Sequence, residues 1–153
     1  MKHYKDVLNN IYAYESDGSQ DAFIKEGLVP ISDEDLAAMI APTTEQLLSQ
    51  LSAARKEQER QGVTINDIRY AGDPGNRQTL QEAITYIEDA GLAEFPSWKD
   101  SDGVFHQNNP LADVKDAARA IGARRSQLIA AEGEYAAQII AGTLTDLTEV
   151  VWP

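Results

Sequence analysis

The chain has 153 residues, with 13 basic and 25 acidic side chains for a net charge of −12, and it lacks cysteine. The missing thiols exclude disulfides, thiol catalysis and thiolate metal sites. Length and composition fit one soluble domain or two small ones, with no bilayer-length apolar run, no apolar leader behind a basic start and no lipidation signature.

The negative charge is spread along the chain. Residues 1–42 and 62–109 each hold three basic and eight acidic groups, residues 43–61 hold three of each, and residues 110–153 hold four basic and six acidic. No segment supplies a basic stripe, which argues against nucleic-acid binding through phosphates. Acidity of this kind reads first as a solvated surface and second as mimicry of DNA.

In chain order, residues 3–15 (HYKDVLNNIYAYE) read as a hairpin with its turn at Leu8-Asn9-Asn10. Ser19 is expected to cap a short helix from Gln20 to Glu26, stopped by Gly27. Leu28 to Ile31 is extended, because Val29 precedes a proline. Ser32 then caps a helix whose first turn, Asp33-Glu34-Asp35, sets acidic groups at the positive end of the helix dipole, and Pro42 ends it. Thr43 with Gln46 forms a capping box for the next helix. Leu47, Leu51 and Ala54 give that helix an apolar start, and the polar run after Ala54 predicts a solvent-exposed second half. On this reading residues 43–61 are a connector.

The stretch Gly62 to Gly72 (GVTINDIRYAG) is a second hairpin, with Asn66-Asp67 as a two-residue turn. Asp73 and Pro74 open a helix with Leu80, Ile84 and Ile87 on its buried face, closed by Gly91. Asp100-Ser101-Asp102-Gly103 is the turn of a third hairpin. Asn109 and Pro110 are expected to start the longest helix, which Gly122 could bend and Gly142 ends. Thr143 with Asp146 predicts one last short helix, leaving Trp152 at the tail. Helices and antiparallel hairpins segregate along the chain, so the fold class is α+β. The expected organisation is an N-terminal β-hairpin/helix module (1–42), the connector helix (43–61) and a C-terminal domain of short hairpins packed with helices (62–153).

The search for chemistry returns little. The acidic turn at 100–103 fails as a calcium loop, because Trp98 and Asn109 fall where ligands belong. His3 and His106 stand alone, with no ligand spacing around them. There is neither a phosphate loop nor a nucleophile elbow. Acidic pairs such as Asp33/Asp35 and Asp113/Asp116 read as caps and dipole partners, and Arg124-Arg125 as a source of intrachain bridges. The expectation is therefore no catalytic residue, no cofactor and no metal. Aromatic side chains are the better candidates, for partner binding: Tyr4, Tyr12 and Tyr14 in the first hairpin, with Trp98, Phe105 and Trp152. The alternative for the tyrosines is a mini-core with Phe23 and Leu28.

Two segments carry a resemblance. Tyr4, Asp6, Ile11-Tyr12-Ala13-Tyr14-Glu15 and Gly27-Leu28-Val29-Pro30-Ile31-Ser32 resemble the N-terminal module of tail-fibre assembly, chaperone-like proteins of tailed bacteriophages and prophages. Gly62 to Asn66, Ile68-Arg69-Tyr70, Asp73, Arg77, Trp98, Asp102-Gly103 and Trp152 resemble a domain of unknown function found at the C-terminal end of phage tail proteins. That pattern prefers glycine where this chain has Asp67. The resemblance implies a non-enzymatic tail protein that binds the tail fibre, towards its C-terminal tip, as assembly chaperone or retained virion component. It also implies residence in the host cytoplasm during assembly, no nucleic-acid or membrane partner, and self-association left open. Two other classes compete: an acidic DNA-mimicking inhibitor, and a hydrolase using Asp73 or Asp102.

Overall fold

Pro42 divides two units in the computed structural model, which describes all 153 residues: Met1–Pro42 and Thr43–Pro153. Each unit mixes strands with helices and all strand pairing is antiparallel, so the fold is α+β, as expected. No helix is long and apolar enough to cross a membrane.

In the first unit, β1 (Lys2–Lys5) lies between β2 (Ile11–Tyr14) and β3 (Val29–Ile31). The β1–β2 turn holds because Asp6 accepts from the backbone N–H groups of Leu8 (2.8 Å) and Asn10 (2.9 Å), while Asn9 takes a positive φ of 62°. The helix expected from Gln20 to Glu26 shrinks to a 3₁₀ turn at Asp21–Phe23, and Ser19 does not cap it. Local polar groups go elsewhere: the Ser19 N–H donates to Asp17, and the Gln20 side chain accepts from the Glu15 N–H. Helix α1 (Asp33–Ile40) starts as read, with the Asp35 N–H donating to Ser32 Oγ (3.0 Å). No residue of this unit is fully buried.

The second unit begins with α2 (Thr44–Gln61), whose capping box between Thr43 and Gln46 is complete. It continues through the hairpin β4 (Val63–Ile65) and β5 (Ile68–Tyr70), α3 (Pro74–Asp89), the hairpin β6 (Glu94–Lys99) and β7 (Phe105–Pro110), and α4 (Leu111–Ile140). Asp73 caps α3, accepting from the N–H groups of Gly75 and Asn76, with Pro74 in the first turn. The β6–β7 ladder skips Pro96, which has no N–H to give, and Asn108 opposite it adopts φ 54°.

Two apolar clusters hold this unit. Ile68 and Tyr70 from β5, Leu80, Ile84 and Ile87 from α3, Phe95 from β6 and Val114, Ala117 and Ile121 from α4 form the first. Leu47 and Leu51 of α2 meet Ile139 and Leu144 in the second, with Leu147, Val150 and Trp152 packed on it.

Several expectations change here. Helix α2 is no connector: it packs against α4, and Glu59 in its second half is only 7% exposed. The row Leu47, Leu51, Arg55, Glu59 advances four residues at a time, so the inward face continues past Ala54 with charged groups in place of apolar ones. Asn109 belongs to β7 and is 1% exposed, and α4 starts at Leu111. Helix α4 runs unbroken through Gly122. No helix forms after Gly142; Asp146 instead turns the chain by accepting from the Thr148 N–H, and the apolar side chains lie on the second cluster without one.

Glycine is required where α2 meets the β4–β5 hairpin. A Cβ on Gly72 would fall inside contact of the Glu59 carbonyl oxygen, and one on Gly62 would lie 2.7 Å from the Ala71 Cα. Gly72→Ala should therefore lower stability by about 3 kcal/mol or more, the upper range for a point substitution. At the tip of the hairpin, Asn66 (φ 49°) and Asp67 (φ 64°) both adopt the left-handed geometry a two-residue I′ turn requires. Asp67→Gly relieves that strain and should raise stability by up to about 1 kcal/mol. Urea melts of the two variants beside the parent chain check both signs.

Candidate functional site

The six aromatic candidates have different surroundings. In the first unit the Tyr4 and Tyr14 rings meet edge to face at 5.6 Å, and the Tyr12 hydroxyl donates to Asp6 (3.1 Å) with Lys25 over its ring. All three tyrosines are half-buried, and the Tyr14 hydroxyl reaches the Phe23 carbonyl at 3.4 Å. The Phe23 ring does not join a mini-core: it is 72% exposed, and Val7, Leu8 and Val29 of the same unit are exposed as well. In the second unit Trp98 packs on Phe95 (4.9 Å) and Tyr70 (5.8 Å) against the first cluster. Trp152 packs on Tyr135 (6.3 Å), whose hydroxyl donates to the Val151 carbonyl. Phe105 alone of the later three is open, at 66%, with the Lys99 ammonium over its ring. These three are not brought together by any contact between their rings.

Apart from Trp152, which lies on the second cluster, the residues that carried the resemblance in the second half gather around the junction of the two hairpins. From β5, Arg69 donates through Nε to Asp102 (2.8 Å) and through Nη2 to the Ser101 carbonyl (2.9 Å). Ser101 answers in kind: its N–H donates to the Arg69 carbonyl (3.1 Å), and its hydroxyl accepts from the Ala71 N–H (2.8 Å). Tyr70 pairs with buried Asn109, whose Nδ2 donates to the phenol oxygen at 3.0 Å. Asp73 caps α3, and Arg77 Nη1 holds the Gly72 carbonyl (2.6 Å). Asp73 and Asp102 are thus a cap and an ion-pair partner, each with a structural role. No group of three or more His, Asp or Glu is placed to hold a metal ion.

Beside this junction lies a charged cluster between α2, α3 and α4. The Glu59 carboxylate, 6% exposed, contacts Arg55, Arg77 (3.4 Å) and Arg125 (3.4 Å), and Arg55 Nε also reaches Glu132 at 2.6 Å. It opens into a groove of about 580 Å³ lined by Arg55, Lys56, Arg60, Arg77 and Arg125 among others. Arg124 contacts no acidic side chain: it donates to a main-chain oxygen of Pro153 and to Gln58. Reading residue by residue missed Glu59 and Asn109. The signal available for Glu59 was its place in the four-residue row of Leu47 and Leu51.

Two carboxylates of the junction have pKa values below the usual carboxylate range. The His106 ring nitrogen at 2.8 Å holds Asp100 down, with help from the N–H groups of Val104 and Asp102. The Asn76 side chain holds Asp73 down, aided by the cap N–H groups. A lowered folded pKa stabilises above the ordinary value of 3.8, and that contribution is lost as pH falls through the lower folded value. The chain should therefore lose stability progressively as pH falls below about 5, and Asp100→Asn should flatten that limb. Denaturation midpoints measured across the range test it; an unchanged slope would remove Asp100 from the acid response.

No curated protein and no solved structure matches the chain. A family model does: residues 42–151 match a domain of unknown function, DUF4376. That span covers α2 through the tail and includes both the hairpin junction and the charged groove. The chain belongs to the DUF4376 family.

Proposed function

We propose that this chain is a non-enzymatic bacteriophage tail protein that binds a tail fibre during assembly, and that the first unit supplies the contact. The observation that carries the reading is the first unit itself: a three-stranded sheet bearing Tyr4, Tyr12 and Tyr14, with no fully buried residue and with Val7, Leu8, Phe23 and Val29 exposed. A module of 42 residues that leaves this much apolar surface in water gains by covering it with a partner. Tyrosine suits such a surface, because it gives large contact area with few rotatable bonds and a polar tip. The resemblance of residues 4–32 to tail-fibre assembly proteins supplies the partner's identity. Whether the chain then leaves or stays in the virion is a separate property. An acidic DNA mimic is the weaker alternative, because the basic side chains of Arg55, Lys56, Arg60, Arg77 and Arg125 gather on one groove and interrupt any acidic face there.

The test is co-expression with a candidate tail-fibre protein. Soluble, trimeric fibre should appear only when this chain is present. Phe23→Ser, at a site open to solvent, should reduce capture of the fibre about tenfold while leaving the melting temperature unchanged. Fibre that folds soluble and trimeric alone would end the chaperone reading. Capture unaffected by Phe23→Ser and by a second change, Val29→Ser, would move the contact away from the first unit.

A further inference from the structure

The charged groove of the second unit contains more cation than its own carboxylates use. Glu59 has two oxygens, and three guanidinium groups share them: Arg55, Arg77 and Arg125. Glu132 adds a second carboxylate, held by Arg55 Nε. Lys56 lines the same groove with no ion-pair or hydrogen-bond partner, whereas Arg60 is occupied by Glu57 through two hydrogen bonds. Asp73 also lines the groove, with its carboxylate hydrogen-bonded to the first turn of α3. Five basic groups (Arg55, Lys56, Arg60, Arg77 and Arg125) thus meet four carboxylates (Glu57, Glu59, Asp73 and Glu132), an excess of one positive charge in a chain whose net charge is −12.

Donor accounting points the same way. A guanidinium carries five N–H donors. Arg125, whose side chain is 44% exposed, approaches Glu59 through Nε at 3.4 Å, and its two terminal nitrogens have no partner. Arg77 directs Nη1 to the Gly72 carbonyl and Glu59, leaving Nη2 and Nε without one. One guanidinium balances the charge of one carboxylate, and a forked Arg does so with two parallel hydrogen bonds. Crowding three beside it raises mutual repulsion that an added anion would relieve. The volume, about 580 Å³, falls within the usual range for small-molecule sites and exceeds what one oxyanion fills. Ala53 and Pro74 give it apolar wall for the remainder of a ligand.

We propose that this groove is a binding site for a small ligand bearing a carboxylate or phosphate group. Glu59 is the internal counter-ion that holds Arg55, Arg77 and Arg125 together before the ligand arrives. Arg125 and Lys56 supply the free donors that meet the oxyanion. The site lies wholly in the second unit and does not depend on the fibre-binding role of the first.

Calorimetric titration of the full chain with inorganic phosphate and with citrate, against chloride at matched ionic strength, tests the proposal. At least one probe should bind saturably; phosphate alone would mark a phosphate site, citrate alone a carboxylate site. Arg125→Gln should weaken binding about tenfold, the cost of a lost charge-assisted hydrogen bond. Lys56→Gln, at an exposed position without a partner, should weaken it several-fold with no change in melting temperature, which keeps the test valid if Arg125→Gln disturbs the fold. Saturable binding by neither probe, or binding unchanged in Lys56→Gln, would overturn the proposal.

Discussion

The second unit depends on how closely two pieces of backbone approach each other. At its end α2 passes so near the chain after β5 that Gly72 has no room for a side chain against the Glu59 carbonyl, and Gly62 has none against Tyr70 and Ala71. That approach fixes where the β4–β5 hairpin leaves the helix. It places Ile68 and Tyr70 over α3 and α4, and Arg69 within reach of the β6–β7 turn. It also carries the Glu59 side chain inward, between the two helices that provide Arg77 and Arg125. Packing of the first cluster and the charge cluster beside it are therefore two results of one steric fact.

The polar groups of the junction show why a hairpin of three-residue strands is stable here. Strands that short contribute few ladder bonds of their own. The missing connections come from side chains: the Arg69 fork on Ser101 and Asp102, the Ser101 hydroxyl on Ala71, and Asn66 Nδ2 on Asp113 of α4 at 2.8 Å. The first two join the hairpin to the β6–β7 turn, and the third joins it to α4. Residues that look like a recognition pattern in the sequence are to this extent the fasteners of the fold, and polar groups paired in this way specify one arrangement of its elements.

What could be read from the sequence was local. Ser32, the Thr43–Gln46 box, Asp73-Pro74 and Asn66-Asp67 each determine their geometry within a few residues, and each appears where expected. The misreadings had long-range causes. The run from Arg55 to Arg60 has the composition of a solvated helix face, and Glu59 is buried only because Arg77 and Arg125 come from distant parts of the chain. Asn109 resembles a helix cap, and the Tyr70 hydroxyl draws it into β7 as a buried strand residue. Thr143 and Asp146 have the spacing of a capping box, yet Leu144, Leu147 and Val150 reach the second cluster without a helix. Among the aromatic candidates, sequence could not separate Trp98 and Trp152, which pack on the two clusters, from Phe105, which does not.

The two clusters of the second unit also differ in how far apart their members lie along the chain. The first draws on residues between Val63 and Ile121, from two hairpins and two helices. The second joins Leu47 and Leu51 near the start of the unit to Ile139 and Leu144 near its end. Closing so long a loop costs more entropy and depends on the intervening structure to shorten it. During synthesis α2 is the first helix of this unit to leave the ribosome, yet its apolar face is covered only after α4 is complete. Leu47, Leu48 and Leu51 are thus in water for most of the time the unit is being made, and their exposure sets the interval in which the nascent chain is open to aggregation or to a holding partner.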